Sequence, residues 1–321
     1  MTLTVGSSLT RKLAAPPLGR LKTDQALADR VSGMRACRPR YAALPLVLAA
    51  LVVAPHAAAS RDAGVAAIQV ALKSRGLYQG SIDGLNGPAT TSAIKRFQRR
   101  AGLAVDGRPG PKTRLALGRY GKHVLGSRPL KRGAVGWDVA ALQFVLAWHG
   151  FPSSTFDGGF GQHTLRALKR FQRWAGLTPD GVAGPSTFAA LRAPLPSCPI
   201  TLAWPLVGPV GDVFGPRANR FHAGLDILAP QGTAVASAGP GRVVFAGFSA
   251  GGWGNLVIVN HDDGVSTMYA HLATIAVGYR QVVPGGYRLG TVGATGDATG
   301  PHLHFEVRVR GASVDPLPAL P

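Results

Sequence analysis

The sequence predicts a multidomain chain: two small all-α bundles followed by an all-β domain. Three observations carry this reading. A block of residues recurs at a fixed offset of 74, each copy keeps helical apolar spacing, and after Trp204 short β-rich runs alternate with Gly-rich turns. The 321 residues suggest two or three domains. A hydrophobic content of 46% allows packed cores and excludes disorder of the whole chain. Only two Cys are present, which excludes a disulfide scaffold. Lys+Arg number 35 against 15 Asp+Glu, a formal charge of +20. That charge asks for an anionic partner and by itself leaves nucleic acid, an acidic membrane face and an anionic cell wall open.

Residues 34–59 read as an export signal. Arg35, Arg38 and Arg40 form a basic start, and Tyr41–Ala54 is apolar but too short to span a bilayer core of about 30 Å. Ala57, Ala58 and Ala59 offer a small-residue cleavage site. A signal begins at the initiator, so Met34 is the expected start and residues 1–33 a mis-called extension. Cleavage would remove Cys37 and leave Cys198 as the single thiol. No second apolar segment of about 20 residues follows. The mature chain is therefore expected to be secreted, extracellular or wall-associated, without an integral membrane segment. A monomer is the expectation for its oligomeric state.

The repeat occupies residues 60–120 and 134–192, with 121–133 as a linker. Val65-Ala66-Ala67-Ile68-Gln69 returns as Val139-Ala140-Ala141-Leu142-Gln143, and Lys95-Arg96-Phe97-Gln98-Arg99 as Lys169-Arg170-Phe171-Gln172-Arg173. Val65, Ile68 and Leu72 lie on one face of a first helix that Gly76 ends. Pro88 suits the first position of a second helix carrying Ala93, Ile94 and Phe97. Residues 111–117 make a short third. Asp83-Gly84 and Asp157-Gly158 read as turns. His123, His149 and His163 have no second ligand at metal spacing. These copies resemble three-helix peptidoglycan-binding domains. The resemblance rests on Ile68-Gln69 and Leu142-Gln143, the Asp-Gly pairs, Gly87 and Gly161, Thr90 and Thr164, and the two Phe-Gln pairs. It implies cell-wall peptidoglycan as partner.

Residues 193–203 contain Pro194, Pro196 and Pro199 and read as a stiff linker. In the β domain, 204–318, histidines cluster. His302 and His304 form an HxH, and on a strand residues i and i+2 share a face. His222 and Asp226 form an HxxxD. Four strand steps span about 13 Å, so that segment must turn for both to reach one ion, and Gly224 permits it. Two His and a carboxylate form a catalytic zinc set with the fourth position open to water. His271, in Tyr269-Ala270-His271-Leu272, is the fifth group. His261 looks like part of a hairpin turn.

The domain resembles the lysostaphin/LytM-type zinc endopeptidases of bacterial cell walls, with their duplicated hybrid motif-like β fold. The matching stretches are Phe214-Gly215-Pro216-Arg217, His222 to Ile227, Ala229 to Thr233, Gly254-Asn255, Tyr269 to Leu272, Ala298 to Val307 and Val314-Asp315-Pro316. Residues 279–288 depart from the family's tidy hairpin. By resemblance, His222, Asp226 and His304 bind one zinc, while His271 and His302 are catalytic. A zinc-bound water and a neutral imidazole would suit peptide hydrolysis, and either histidine can take either part. No HExxH occurs. Glu306, the only Glu, would share the face of His302 and His304 and could orient a ligating His.

The implied function is a secreted peptidoglycan endopeptidase held on the wall by two modules. The alternative is a catalytically inactive wall-binding regulator or adhesin of the same fold. No nucleic-acid motif appears, so nucleic acid is not an expected partner. The charge supports the wall. Residues 60–132 carry 15 basic and 3 acidic groups, residues 133–192 carry 5 and 3, and residues 193–321 carry 7 and 7.

Overall fold

The computed structural model describes residues 61–321. The expected export signal (34–59) and the extension before it lie outside the described residues. Six α-helices come first: α1 Ala63–Lys73, α2 Pro88–Arg100, α3 Pro111–Ala116, α4 Trp137–Trp148, α5 Gln162–Trp174 and α6 Pro185–Ala190. The strands follow: β1 Gly215–Arg217, β2 Arg220–His222, β3 Leu225–Leu228, β4 Ala234–Ala236, β5 Gly241–Ser249, β6 Gly254–Asn260, β7 Val265–Ile275, β8 Val282–Val283, β9 Arg288–Val292, β10 His302–Val309 and β11 Ala312–Val314. No described helix is long and apolar enough to cross a membrane.

The helical repeat is organised by one polar cassette that occurs four times. The buried Gln69 amide donates to Asp83 Oδ1 (2.7 Å) and Thr90 Oγ1 (3.0 Å), and its carbonyl accepts from Gly84 N–H (2.9 Å). Gln98 does the same with Asp106, Thr113 and Gly107. Gln143 uses Asp157, Thr164 and Gly158, and Gln172 uses Asp180, Thr187 and Gly181. Each of these four glycines has φ between +72° and +79°, where a side chain would be strained. The Asp-Gly pairs are thus turns, as expected, and each repeat is itself an approximate duplication. Asp62 caps α1, its Oδ1 accepting from Gly64 and Val65 N–H. Pro88, Pro111 and Pro185 open α2, α3 and α6.

The second repeat has its own core around Leu142, Leu168 and Phe171, but one face of α4 also joins the core of the first repeat. Helices α1 and α4 pack through small residues, Ala66, Ala67 and Ala71 against Ala140, Ala141 and Ala147, all buried in one cluster. Phe214 and Phe221, from the start of the β domain, join that cluster. Their rings lie 6.0 and 5.1 Å from Trp148, edge to face. The β1–β2 hairpin is therefore seated on the helical half.

The β domain is a nine-stranded antiparallel sheet plus that hairpin. Its main path runs β11-β10-β7-β6-β5-β8, with β3 on β10, β9 on β7 and β4 on β9. Strand β10 alternates as its sequence requires. Leu303, Phe305, Val307 and Val309 enter the core with Tyr269, Leu225 and Ile227, leaving His302, His304, Glu306 and Arg308 on the other face. The Pro-rich stretch before Trp204 ends inside this core: Leu202 is buried and donates its N–H to Ala319 O. In the divergent segment 279–288, Val283 on β8 still reaches the core.

Candidate metal centre

Strand pairing brings the predicted groups together. In the register of β3 with β10, Asp226 stands opposite His304, and β7 places Ala270 opposite His304 on its other edge. His222 ends β2, and the chain turns at Ala223-Gly224 before β3 begins. The HxxxD segment does turn, but not through a left-handed glycine, since Gly224 is absent from the positive-φ positions. Gly224 is required for a different reason. A Cβ there would meet Phe305 O at 2.4 Å and His304 Cε1 at 3.1 Å. The loop can pass so close to β10 only without a side chain.

His222, Asp226 and His304 are buried, and their ligand atoms all lie within 4.8 Å of one another. Asp226 Oδ1 stands 3.0 Å from His222 Nε2 and 2.8 Å from His304 Nδ1, and the two nitrogens are 3.0 Å apart. The outer faces of the rings define their tautomers. His222 Nδ1 is 3.0 Å from Val213 O, and His304 Nε2 is 3.3 Å from Glu306 Oε1. An N–H donated outward on each ring leaves two nitrogen lone pairs and a carboxylate oxygen converging on one point. Such a set is satisfied only by a cation. Ligands of a tetrahedral zinc sit roughly 3.3 Å apart, close to the spacing seen. The donor set therefore fits a divalent metal. Protons take that part in its absence. Burial opposes a charge on His304, but Asp226 and Glu306 outweigh it and raise His304 to about 9. Asp226 is held well below the usual carboxylate range by His222 and His304, against its burial.

Two neighbours brace this set. Arg217 Nη2 reaches Asp226 Oδ2 at 2.7 Å and also pairs with Asp212. It turns the other carboxylate oxygen, Oδ1, toward the histidines. Glu306 is fully buried; its Oε2 accepts from Arg308 Nε at 2.7 Å. Burial alone would push Glu306 up, but Arg308 and His304 hold it below its ordinary value. Glu306 shares the β10 face of His302 and His304, as expected, and its Oε1 faces the outer ring nitrogen of His304. Arg217 was visible in sequence only as part of a matching stretch, because its contact with Asp226 depends on where the hairpin folds back.

His271 and His302 flank the set, with ring centroids 4.9 Å apart. His271 Nδ1 lies 2.8 Å from Thr295 O and His302 Nδ1 lies 2.8 Å from Gly300 O. Each ring therefore donates Nδ1–H to a carbonyl, which turns Nε2 toward the groove; His302 Nε2 lies 3.8 Å from Asp226 Oδ1. Burial lowers the pKa of His271 and keeps it neutral. Its position is not that of a regular strand residue. Simple alternation from Tyr269 would send His271 into the core; instead its φ is +61° beside register shifts in β7, and the ring turns to the groove. The groove has a volume of about 510 Å³ and is also lined by Trp253, Arg220, Asp297 and Thr299. Sequence reasoning missed Trp253, whose ring lies 5.3 Å from that of His304. His261 lies elsewhere, satisfied by Pro240 O and Thr267 Oγ1, and His149 Nε2 meets Leu191 O.

Comparison with known proteins agrees with this geometry. Residues 220–316 match peptidase family M23, and residues 61–117 and 136–191 each match the putative peptidoglycan binding domain. The cell division protein DipM of Caulobacter vibrioides is 45% identical over 37% of this chain and 21% of its own length. The murein hydrolase activator NlpD of Salmonella dublin is 34% identical over 53% of this chain and 46% of its own. The DD-carboxypeptidase/endopeptidase Mpg of Neisseria meningitidis is 47% identical over 30% of this chain and 22% of its own. The chain thus spans between about a fifth and a half of the length of these relatives.

Proposed function

We propose that this chain, which carries a peptidase family M23 domain behind two peptidoglycan-binding domains, is a secreted zinc endopeptidase that cuts peptide bonds of cell-wall peptidoglycan. The observation that supports it most is the convergence of His222, Asp226 and His304, with lone pairs aimed at one point, beside two histidines anchored through Nδ1 to carbonyl oxygens. A zinc ion there would polarise the scissile carbonyl and lower the pKa of water toward 7. His222, Asp226 and His304 would hold it, with Arg217 and Glu306 fixing the orientation of two of them. His271 and His302 each present Nε2 as a proton acceptor. One takes the proton of the attacking water. The imidazolium so formed can return that proton to the leaving amine, and the other histidine, with an Nε2 proton taken from solvent, can donate to the carbonyl oxygen. The helical modules keep the enzyme on its insoluble substrate.

The competing reading is a wall-binding regulator without catalysis. The name of the Salmonella relative, an activator of murein hydrolases, favours it; the name of the Neisseria relative favours an enzyme. All five positions of the site are filled here, which supports the enzyme. Digestion of defined cross-linked muropeptides, read by mass spectrometry, separates the two. The enzyme yields products of one peptide-bond hydrolysis that vanish with His271→Gln. A regulator yields none at any zinc concentration.

A further inference from the structure

A second cavity, of about 480 Å³, opens where α5 of the second repeat meets the end of β10. Four arginines line it, Arg170 and Arg173 from α5 and Arg308 and Arg310 from β10 and its turn, together with Phe151 and Trp174. Two hydrogen bonds cross the junction and fix its walls: Arg170 Nη2 to Gly311 O and Trp174 Nε1 to Val309 O, both 3.3 Å. The aromatic rings organise the cations. Arg170 lies over Phe151 at 5.4 Å and Arg310 over Trp174 at 5.2 Å. Arg310 is placed there by a two-residue turn in which it has φ +50°, an uncommon conformation for arginine.

The charge in this cavity is unbalanced. Among the described residues, Arg308 has Glu306 as its carboxylate partner, and Glu306 is already shared with His304. Arg170, Arg173 and Arg310 form no ion pair with a described residue, and all three are exposed. Guanidinium groups gathered in this way favour a planar anion that accepts paired N–H donors. Phe151 is buried beneath Arg170, and the half-buried Trp174 is the one aromatic ring of the cavity that remains partly open.

Position adds the rest. Arg308 stands on the same face of β10 as His304, four residues along, or about 13 Å at strand spacing. An extended peptide of four residues covers that distance. We propose that this cavity binds a free carboxylate of a peptide stem in the same wall polymer. It is then a composite subsite, formed jointly by the second repeat and the peptidase domain, that sets which stem is presented at the groove. This rests on peptidoglycan being the partner, not on catalysis.

Calorimetric titration of the full chain with a monomeric disaccharide tetrapeptide tests it, using the free-acid fragment, its amidated form and inorganic phosphate. The free acid should bind about tenfold more tightly than the amide, and R170Q/R310Q should abolish that difference. Arg170→Lys with Arg310→Lys, which keeps charge but loses the fork, should fall between. Arg173→Gln, on the exposed face of α5, gives a smaller loss in the same direction should the double variant not fold. Equal affinity for acid and amide, an unaffected double variant, or displacement by millimolar phosphate would overturn the proposal. Product release from cross-linked wall by the unaltered chain is measured in parallel. Cleavage without acid selectivity removes the subsite alone; acid selectivity without cleavage retains the subsite and removes the enzyme.

Discussion

His271 and His302 sit against the metal set without belonging to it. Exchanging either for Gln should therefore leave metal content unchanged and lower kcat by about 10²–10⁴, the usual range for a lost proton-transfer group; paired metal analysis and kinetics would check this. Burial lowers His271, so the acid limb of the kcat/KM profile should fall below the ordinary histidine value of 6.5. Glu306→Gln should weaken metal binding about 10–100-fold, because a single amide oxygen cannot accept from both Arg308 and His304 as the two carboxylate oxygens do. Unchanged zinc affinity and rate would contradict that role. Without metal the cluster has its own pH dependence. His304 is raised from 6.5 to about 9, so its contribution is complete below 6.5 and is lost as pH rises through 9. Asp226 is lowered, so its contribution is present above about 4 and is lost on acidification. The thermal midpoint of the chelated protein should accordingly fall between pH 6.5 and 9, and His304→Ala should flatten that fall. His302 and His304 were legible in sequence because HxH parity survives in any regular strand; His222, Asp226 and His271 were reached through the HxxxD motif and the family resemblance. The left-handed backbone of His271 and the close passage at Gly224 were not legible, because both depend on neighbouring strands.

Elements couple the helical half to the site. The β1–β2 hairpin carries Arg217 and His222, and its Phe214 and Phe221 are seated on Trp148 of α4. Phe221→Ala should cost about 3–5 kcal/mol and lower metal affinity as well, because the hairpin that presents His222 loses its seat. Denaturant unfolding and metal titration of one variant would show both. Gln143→Ala would leave Gly158 N–H and Asp157 without their buried partner, costing about 1–3 kcal/mol. Helix positions were readable from apolar spacing and from the prolines that open them. The joint core of α1 and α4 was not: Ala66, Ala67 and Ala71 satisfy a separate bundle or a shared one equally well by pattern. The fourfold Gln cassette was present in the sequence as Gln69, Gln98, Gln143 and Gln172, but Gln and its Asp are 14 residues apart in the first half of each repeat and 8 in the second, so alignment at the offset of 74 does not reveal the inner duplication.

Over the whole chain, charge and chemistry are segregated. Residues 60–132 hold 15 basic and 3 acidic groups, whereas residues 193–321 hold 7 of each. Retention on purified walls should weaken with salt, with most loss between 0.01 and about 0.5 M as the Debye length falls from about 30 Å toward a few ångström. Turnover of small neutral peptides should hardly change, because the peptidase half carries no net charge. The basic cavity shared by α5 and β10 could not be read from sequence, since Arg170 and Arg310 are brought together only by the packing of the two halves.

The proposed zinc site of His222, Asp226 and His304 requires wall hydrolysis by this chain to depend on metal. The most direct test is to strip the full chain with a chelator, return zinc in steps, and follow zinc bound together with new amino groups released from purified peptidoglycan. The account predicts that release is abolished on stripping and restored in proportion to zinc up to one ion per chain, with His304→Ala restoring neither. Full zinc occupancy with no new amino groups, or release that persists after stripping, would contradict it.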